Sequence, residues 1–333
     1  MKPFTLLILL ILIHSGVQAQ TAERSSNQYR KADSIARLYD GYSLYNLPEL
    51  ANNLTGQLTD ERDKIRAIYT WVSTNISNDF DTYFRNKVKR YKYRNNQEKL
   101  SDWNRKVSRI LFKNLLTEYK SICSGYAYLV NELAIHTGLK CKIINGYGKI
   151  SEKEILQKGN PNHAWNAIKI DGEWFFLDTT WSSGIYKIGE RKFINEFNDT
   201  YFLVSPDLFI LNHYPENIID THTDLITDPD TFLAGPCVKK AAIQFGIVPF
   251  TPKQYNIELN RGEKLVIELG AGQLETVDQI TLKINKTVVK AMVTPIDSSS
   301  ISIEYEMNKT GSFPVQVCLN DEEAILYQVT VEK

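Results

Sequence analysis

The chain has 333 residues, a length that gives room for roughly two domains. Its 39 Lys+Arg residues balance 39 Asp+Glu, which excludes the strongly basic footprint of a dedicated nucleic-acid binder. A hydrophobic fraction of 43% with 23% charged residues excludes a disordered chain, and 4 cysteines are too few for a disulfide-stapled scaffold.

The first stretch reads as a signal peptide over residues 1–19. Lys2 supplies a positive start, Phe4 to Ile13 is apolar apart from Thr5, and Val17 and Ala19 are the small residues of a cleavage site. So short a run cannot cross about 30 Å of hydrocarbon, which takes about 20 helical residues. Export to a secreted or periplasmic location follows, with no membrane span in the mature chain and its thiols in an oxidising compartment.

Ser25 to Ile76 carries helical periodicity, an N-terminal helical segment over 20–60 and then the opening of a larger unit. There Ile65, Ile68, Tyr69, Val72 and Ile76 share one face, and Thr59 or Asp60 is the expected N-cap. Arg85 to Lys99 holds seven Lys/Arg against one acid, Glu98, with Tyr91 and Tyr93 interleaved. That reads as a solvated loop rather than a nucleic-acid patch. Ser101 is the expected cap of a helix facing inward through Val107, Ile110, Leu111 and Leu115.

Ser121-Ile122-Cys123-Ser124-Gly125-Tyr126-Ala127 leads into a helical pattern at Ala127, Val130, Leu133 and Ala134, with Gly138 as its stop. Cys123 therefore sits at or just before a helix N-terminus, where unpaired N–H groups and the helix dipole favour the thiolate, the nucleophilic form. A buried structural cysteine is the plain alternative.

Past residue 139 the pattern turns to strands, Cys141 to Tyr147, Ala164 to Ile170 and Glu173 to Leu177, with the hairpin run from Glu173 reaching on to Trp181. Asp171-Gly172 between apolar runs is a hairpin signal, and a two-residue turn makes paired residue numbers sum to 343. His163 then faces Thr180, and Trp165 faces Asp178. His163, Trp165 and Asp178 share one face, with the His and Asp as diagonal neighbours. Taken alone this is also an ordinary polar sheet face. With Cys123 it makes an ordered set of nucleophile, base and orienter.

These pieces resemble the transglutaminase-like superfamily of papain-fold thiol enzymes. The matching residues are Cys-Ser-Gly-Tyr-Ala at 123–127, His-Ala-Trp-Asn at 163–166 and Asp-Thr-Thr-Trp at 178–181. Asp63 to Trp71, Asn75-Ile76 and Asp79 resemble the opening helix. Tyr201-Phe202-Leu203, Pro206, Phe209-Ile210 and His213-Tyr214-Pro215 resemble the tail of the kyphoscoliosis peptidase branch. Ser121 stands where a Gly is common, and Asn78 where a Tyr is usual. The resemblance implies an α+β fold, a papain/transglutaminase-like core of helices followed by an antiparallel sheet, over residues 61–218. It implies acyl transfer through catalytic Cys123, His163 and Asp178, with the N–H of Cys123 as one oxyanion donor. Trp71, Trp103 and Trp165 are the options for a second donor.

Gly235-Pro236 marks a boundary. Beyond it, short alternating runs at Lys264 to Leu269, Gln279 to Ile284, Ile301 to Tyr305 and Phe313 to Leu319 predict an immunoglobulin-like β-sandwich over 235–333, a binding or spacing module without chemistry. Cys141 is expected to be buried. Cys237 and Cys318 either bridge the sandwich or stay separate thiols. His213 is assigned to packing or a capping contact, and no histidine falls at metal-ligand spacing with another His or Cys. Neither cofactor nor metal is called for. The expected function is a cysteine peptidase or amidase acting on protein or peptide. A cross-linking transglutaminase and a non-catalytic adhesion or scaffold protein are the alternatives. Oligomeric state and substrate identity are not legible.

Overall fold

A computed structural model describes residues 28–149, 161–187, 189–190, 192–226, 228–272 and 277–333. The expected signal peptide lies outside these residues.

Three helices open the chain, α1 (Arg30–Leu38), α2 (Leu47–Thr55) and α3 (Glu61–Asn75). Asp60 caps α3, its carboxylate accepting from the N–H groups of Arg62 and Asp63, and Ile65, Ile68, Tyr69 and Val72 are buried as their spacing requires. Arg66 is buried with them. It pairs with Asp33 at 2.7 Å and Asp199 at 2.7 Å, tying α1 and a later loop to α3.

The basic run from Arg85 to Lys99 is not a loop. It forms most of α4 (Phe80–Tyr93) and the start of α5 (Gln97–Glu118). Asp79 and Asn96 cap these helices by accepting from Thr82 and Lys99 N–H, so α5 starts one turn before Ser101. Lys and Arg are good helix formers, and a charged face turned to water costs such a helix little. Trp103, Val107 and Leu115 hold α5 inward. Two short strands, β1 (Ser77–Asn78) and β2 (Lys120–Ser121), pair in parallel and deliver the chain to α6 (Cys123–His136).

A four-stranded antiparallel sheet follows, built from β3 (Lys140–Gly148), β4 (His163–Ile170), β5 (Glu173–Leu177) and β6 (His213–Pro215), in the order β5–β4–β3–β6. The β4–β5 hairpin has the anticipated register, Ile170 opposite Glu173 and Asn166 opposite Leu177. The pairing stops there. Instead of continuing to Trp181, the chain turns into α7 (Thr179–Ser183), so His163 has no strand partner at Thr180. Asp178 causes the turn, because its carboxylate accepts from the N–H groups of Thr180 and Trp181 and caps the new helix.

Helix α6 covers one sheet face, Tyr126, Leu129, Val130 and Leu133 packing with Ile168, Ile170 and Leu177. Ile144, Trp165, Ala167 and Phe176 belong to a cluster that runs on into the C-terminal unit. That unit has two sheets. One contains β7 (Lys264–Ala271) and β9 (Ser300–Glu306), the other β8 (Ile280–Ile284), β10 (Gly311–Leu319) and β11 (Glu322–Glu332). Lys149 pins the end of β3 to the junction. Its buried ammonium donates to the carbonyls of Phe232 and Gly235, and burial pulls it down to about 8.

Candidate active site

Cys123 is the first residue of α6, and the preceding Ile122 offers no side-chain cap. Gly125 N–H donates to Ile122 O at 2.8 Å, and the N–H groups of Cys123 and Ser124 are left to whatever approaches the thiol. Ser121, the departure from glycine, is fully buried, and its Oγ fills the space over Gly125. A Cβ on Gly125 would come within 1.9 Å of that oxygen, which is why the residue after Ser124 must be glycine.

His163 starts β4 within hydrogen-bond reach of the Cys123 thiol. Its Nε2 meets Asp178 Oδ2 at 2.7 Å, which leaves Nδ1 for sulfur. Burial alone would drive this imidazole down. The Asp178 charge, its hydrogen bond and the nearby Cys123 outweigh burial and lift it to about 10. Asp178 is 1% exposed, and the two histidines beside it hold its carboxyl well below the usual carboxylate range against the pull of burial. The indole of Trp181 stacks on His163 at 4.9 Å and 22°. Glycine at 148 makes room, since a Cβ there would lie 2.9 Å from the indole. Cys123, His163 and Asp178 are thus brought together, although Asp178 reaches His163 from a helix cap and not from across a strand pair.

His213 was not expected here. Its ring packs as anticipated, but its Nε2 also lies 3.1 Å from Asp178 Oδ2, on the same oxygen that His163 uses. The donor atoms of His163, Asp178 and His213 lie within 4.8 Å of one another, so in space two histidines do stand at metal-ligand spacing. The chain separations of 15 and 35 residues hid this. Both ring nitrogens here meet the carboxylate at hydrogen-bond lengths.

Two tryptophans proposed as oxyanion donors are spent elsewhere, Trp71 on Tyr39 O and Trp103 on Asn86 Oδ1. Trp165 Nε1 is buried without a partner among the described residues and does not line the cleft. Asn78 does line it, beside Cys123, and sits opposite Ser121 in the β1–β2 pair.

The cleft encloses about 800 Å³. Cys123, His163 and Trp181 line it, with Phe80 and Tyr186, whose rings stack at 4.0 Å. Lys240 and Glu322 of the C-terminal unit also line it, so that unit borders the site and is not a detached spacer. None of the four cysteines is in a disulfide, and Cys237 and Cys318 are both buried. Cys141 is pushed up to about 12 by burial. Among the described residues no helix is long and apolar enough to cross a membrane.

Residues 48–179 match the family model described as the transglutaminase-like superfamily. The chain is similar to kyphoscoliosis peptidase of Mus musculus, 31% identical over 175 residues that are 51% of this chain and 23% of that protein. It is also similar to the Homo sapiens protein of that name, 31% identical over 194 residues, 57% of this chain and 26% of that one. The chain thus spans about a quarter of the length of these relatives. Among solved structures, a crystal structure of a TGase is 19% identical, covering 51% of this chain and 36% of that one with a TM-score of 0.28.

Proposed function

We propose, from the premise that residues 48–179 belong to the transglutaminase-like superfamily, that the chain is an exported thiol enzyme. Its reaction is acyl transfer from protein or peptide amides, in the first instance hydrolysis. One observation carries the reading: a thiol at an uncapped helix start, within reach of an imidazole whose far nitrogen is held by a buried carboxylate.

Cys123 gives up its proton to His163 Nδ1, and the Asp178 carboxylate stabilises the resulting imidazolium. The thiolate adds to the amide carbonyl carbon. The oxyanion that forms meets the N–H of Cys123, with the Asn78 side-chain amide as the second donor. As the C–N bond breaks, the imidazolium proton passes to the leaving amine, and a thioester remains on Cys123. His163 then takes a proton from water, hydroxide displaces the thiolate, and the carboxylic acid leaves. An amine in place of water would give transamidation by the same steps. Hydrolysis is the default because water is always present, whereas transfer needs a second, amine-binding site.

The roles of Cys123, His163 and Asp178 and the export of the chain are part of this proposal. So are a catalytic unit over 61–218 and an immunoglobulin-like character for 235–333. The test is labelling with an electrophilic thiol probe and identification of the modified residue by mass spectrometry. Labelling confined to Cys123, lost in His163→Ala, is expected. Equal labelling of wild type and His163→Ala would favour a protein that keeps the fold without the chemistry. Product masses from a glutamine peptide, with and without added amine, separate hydrolysis from transamidation.

A further inference from the structure

Strand β3 carries glycine at 146 and 148, and each faces a histidine: Gly146 pairs with His163 of β4, and Gly148 with His213 of β6. A Cβ at 146 would lie 2.2 Å from Tyr214 O and 2.4 Å from the Trp165 ring. Two bare positions on one central strand therefore let both imidazoles close on the same carboxylate. Asp178 then accepts at Oδ1 from Thr180 and Trp181 N–H, at 2.8 and 3.1 Å, and at Oδ2 from His163 and His213, at 2.7 and 3.1 Å. Its capacity of about four acceptor sites is filled.

We propose that His213 is a positioning residue, a neutral imidazole that donates its Nε2–H to Asp178 and thereby aims the carboxylate at His163. This rests on the thiol-enzyme reading given above. The His213 side chain is fully buried. It is caged by Phe209 at 4.0 Å, Trp181 at 4.2 Å and Trp165 at 5.1 Å, so no water is at hand to replace it on Oδ2. Burial, aided by the charge on His163, holds its ring down to about 4 against the pull of Asp178, so the positive charge stays on His163.

A neutral ring has one N–H. With that hydrogen on Nε2, Nδ1 must accept; the Asn212 amide stands 2.6 Å from it with Oδ1 toward the ring, an orientation that suits an Nδ1–H donor instead. The Asn212 amide also meets the Tyr201 hydroxyl at 3.1 Å. The orientation that satisfies every group turns the amide nitrogen to His213 and the amide oxygen to the phenol, which can donate. Hydrogens then run one way, from Tyr201 through Asn212 and His213 to Asp178, and they meet the proton of His163 there. A positive His213 would share the carboxylate and weaken its hold on His163.

The test is the rate of Cys123 alkylation by iodoacetamide against pH, a readout that needs no substrate. His213→Leu removes both polar contacts and should slow alkylation at neutral pH by about ten- to a hundredfold, as expected for loss of a hydrogen bond to a charged group. His213→Gln, whose amide nitrogen can stand near the position of Nε2, should restore most of the rate. Circular dichroism shows whether each variant folds. If His213→Leu does not, ¹⁵N imidazole spectra of the wild type carry the test, with His213 a neutral Nε2–H tautomer and His163 doubly protonated at pH 7.5. Wild-type rates in folded His213→Leu, or an imidazolium signal from His213, would overturn the proposal. Alkylation equal in wild type and His163→Ala would instead defeat the enzyme reading itself.

Discussion

Asp178→Asn is the sharpest perturbation of the site because it conserves shape and removes one charge. In the native protein one carboxylate oxygen caps α7 and the other receives two histidines. An amide has one oxygen, so two of these four donors must lose their acceptor. Backbone N–H groups cannot reverse, whereas an imidazole can change tautomer. The amide oxygen should therefore stay under Thr180 and Trp181 and turn its NH₂ toward the histidines. His163 then moves its hydrogen to Nδ1, the nitrogen that faces Cys123, and has no site left for the thiol proton.

The magnitude follows from the ionisation of His163, now held at about 10. Without the carboxylate, burial brings it to the roughly 6.5 of a free imidazole or lower. At pH 7.5 the imidazolium share falls from nearly all to about a tenth or less, so alkylation of Cys123 should slow at least about tenfold. Turnover should fall much further, by up to about 10⁴, the scale seen when a triad aspartate elsewhere becomes asparagine. Iodoacetamide kinetics from pH 5 to 10 on the folded variant measure the first effect. An unchanged rate and profile would mean that Asp178 does not govern His163, and the assigned roles would fall.

Asn78→Ala should lower turnover by about 10²–10³, the usual cost of one oxyanion donor, and leave iodoacetamide alkylation unchanged; equal loss in both assays would assign Asn78 to structure. Asp33→Ala strands part of the buried Arg66 guanidinium and should cost about 3 kcal/mol in urea unfolding, and a loss under about 1 kcal/mol would refute that role for the pair. Thiol counting in unfolded protein should find no disulfide between Cys237 and Cys318 without reductant, and a recovered bridge would contradict the structure. The site also sets a pH dependence of stability. His163, raised in the native state, contributes fully below about 6.5 and less as pH rises through about 10. Asp178, lowered, contributes above about 4 and loses its contribution as pH falls through its depressed native value. His213 acts oppositely, because below about 6.5 the unfolded chain takes up a proton that the native ring refuses until about 4. The stability difference between wild type and His213→Gln should therefore shift by roughly 2 kcal/mol in favour of the variant between pH 7 and 5, and a constant difference would show that His213 binds its proton alike in the native and unfolded states and refute the assignment.

What the sequence disclosed is what short-range rules encode. The helix start at Cys123 was legible because small polar residues precede a clean helical period and Gly138 closes it. The β4–β5 hairpin was legible because Asp171-Gly172 permits one register. The same rules misjudged the basic run, where charge alone suggested a loop while Asp79 and Asn96 stood ready as caps. They also carried the β4–β5 pairing past Leu177 to Thr180, because Thr180 and Trp181 suit a strand and the capping role of Asp178 competes with that propensity.

His213 marks the limit of such reading. It sits on a three-residue strand, 35 residues from the carboxylate it touches, and nothing in Asn212-His213-Tyr214-Pro215 specifies its partner. The partner is fixed by Gly146 and Gly148, whose missing side chains let β4 and β6 close on β3. In one sequence those glycines read as weak points of a strand. Only once the sheet is assembled do they become the reason why two imidazoles reach one oxygen. A Gly148→Ala substitution would press on Trp181 and His163 together, so this backbone position belongs to the site as much as the side chains do.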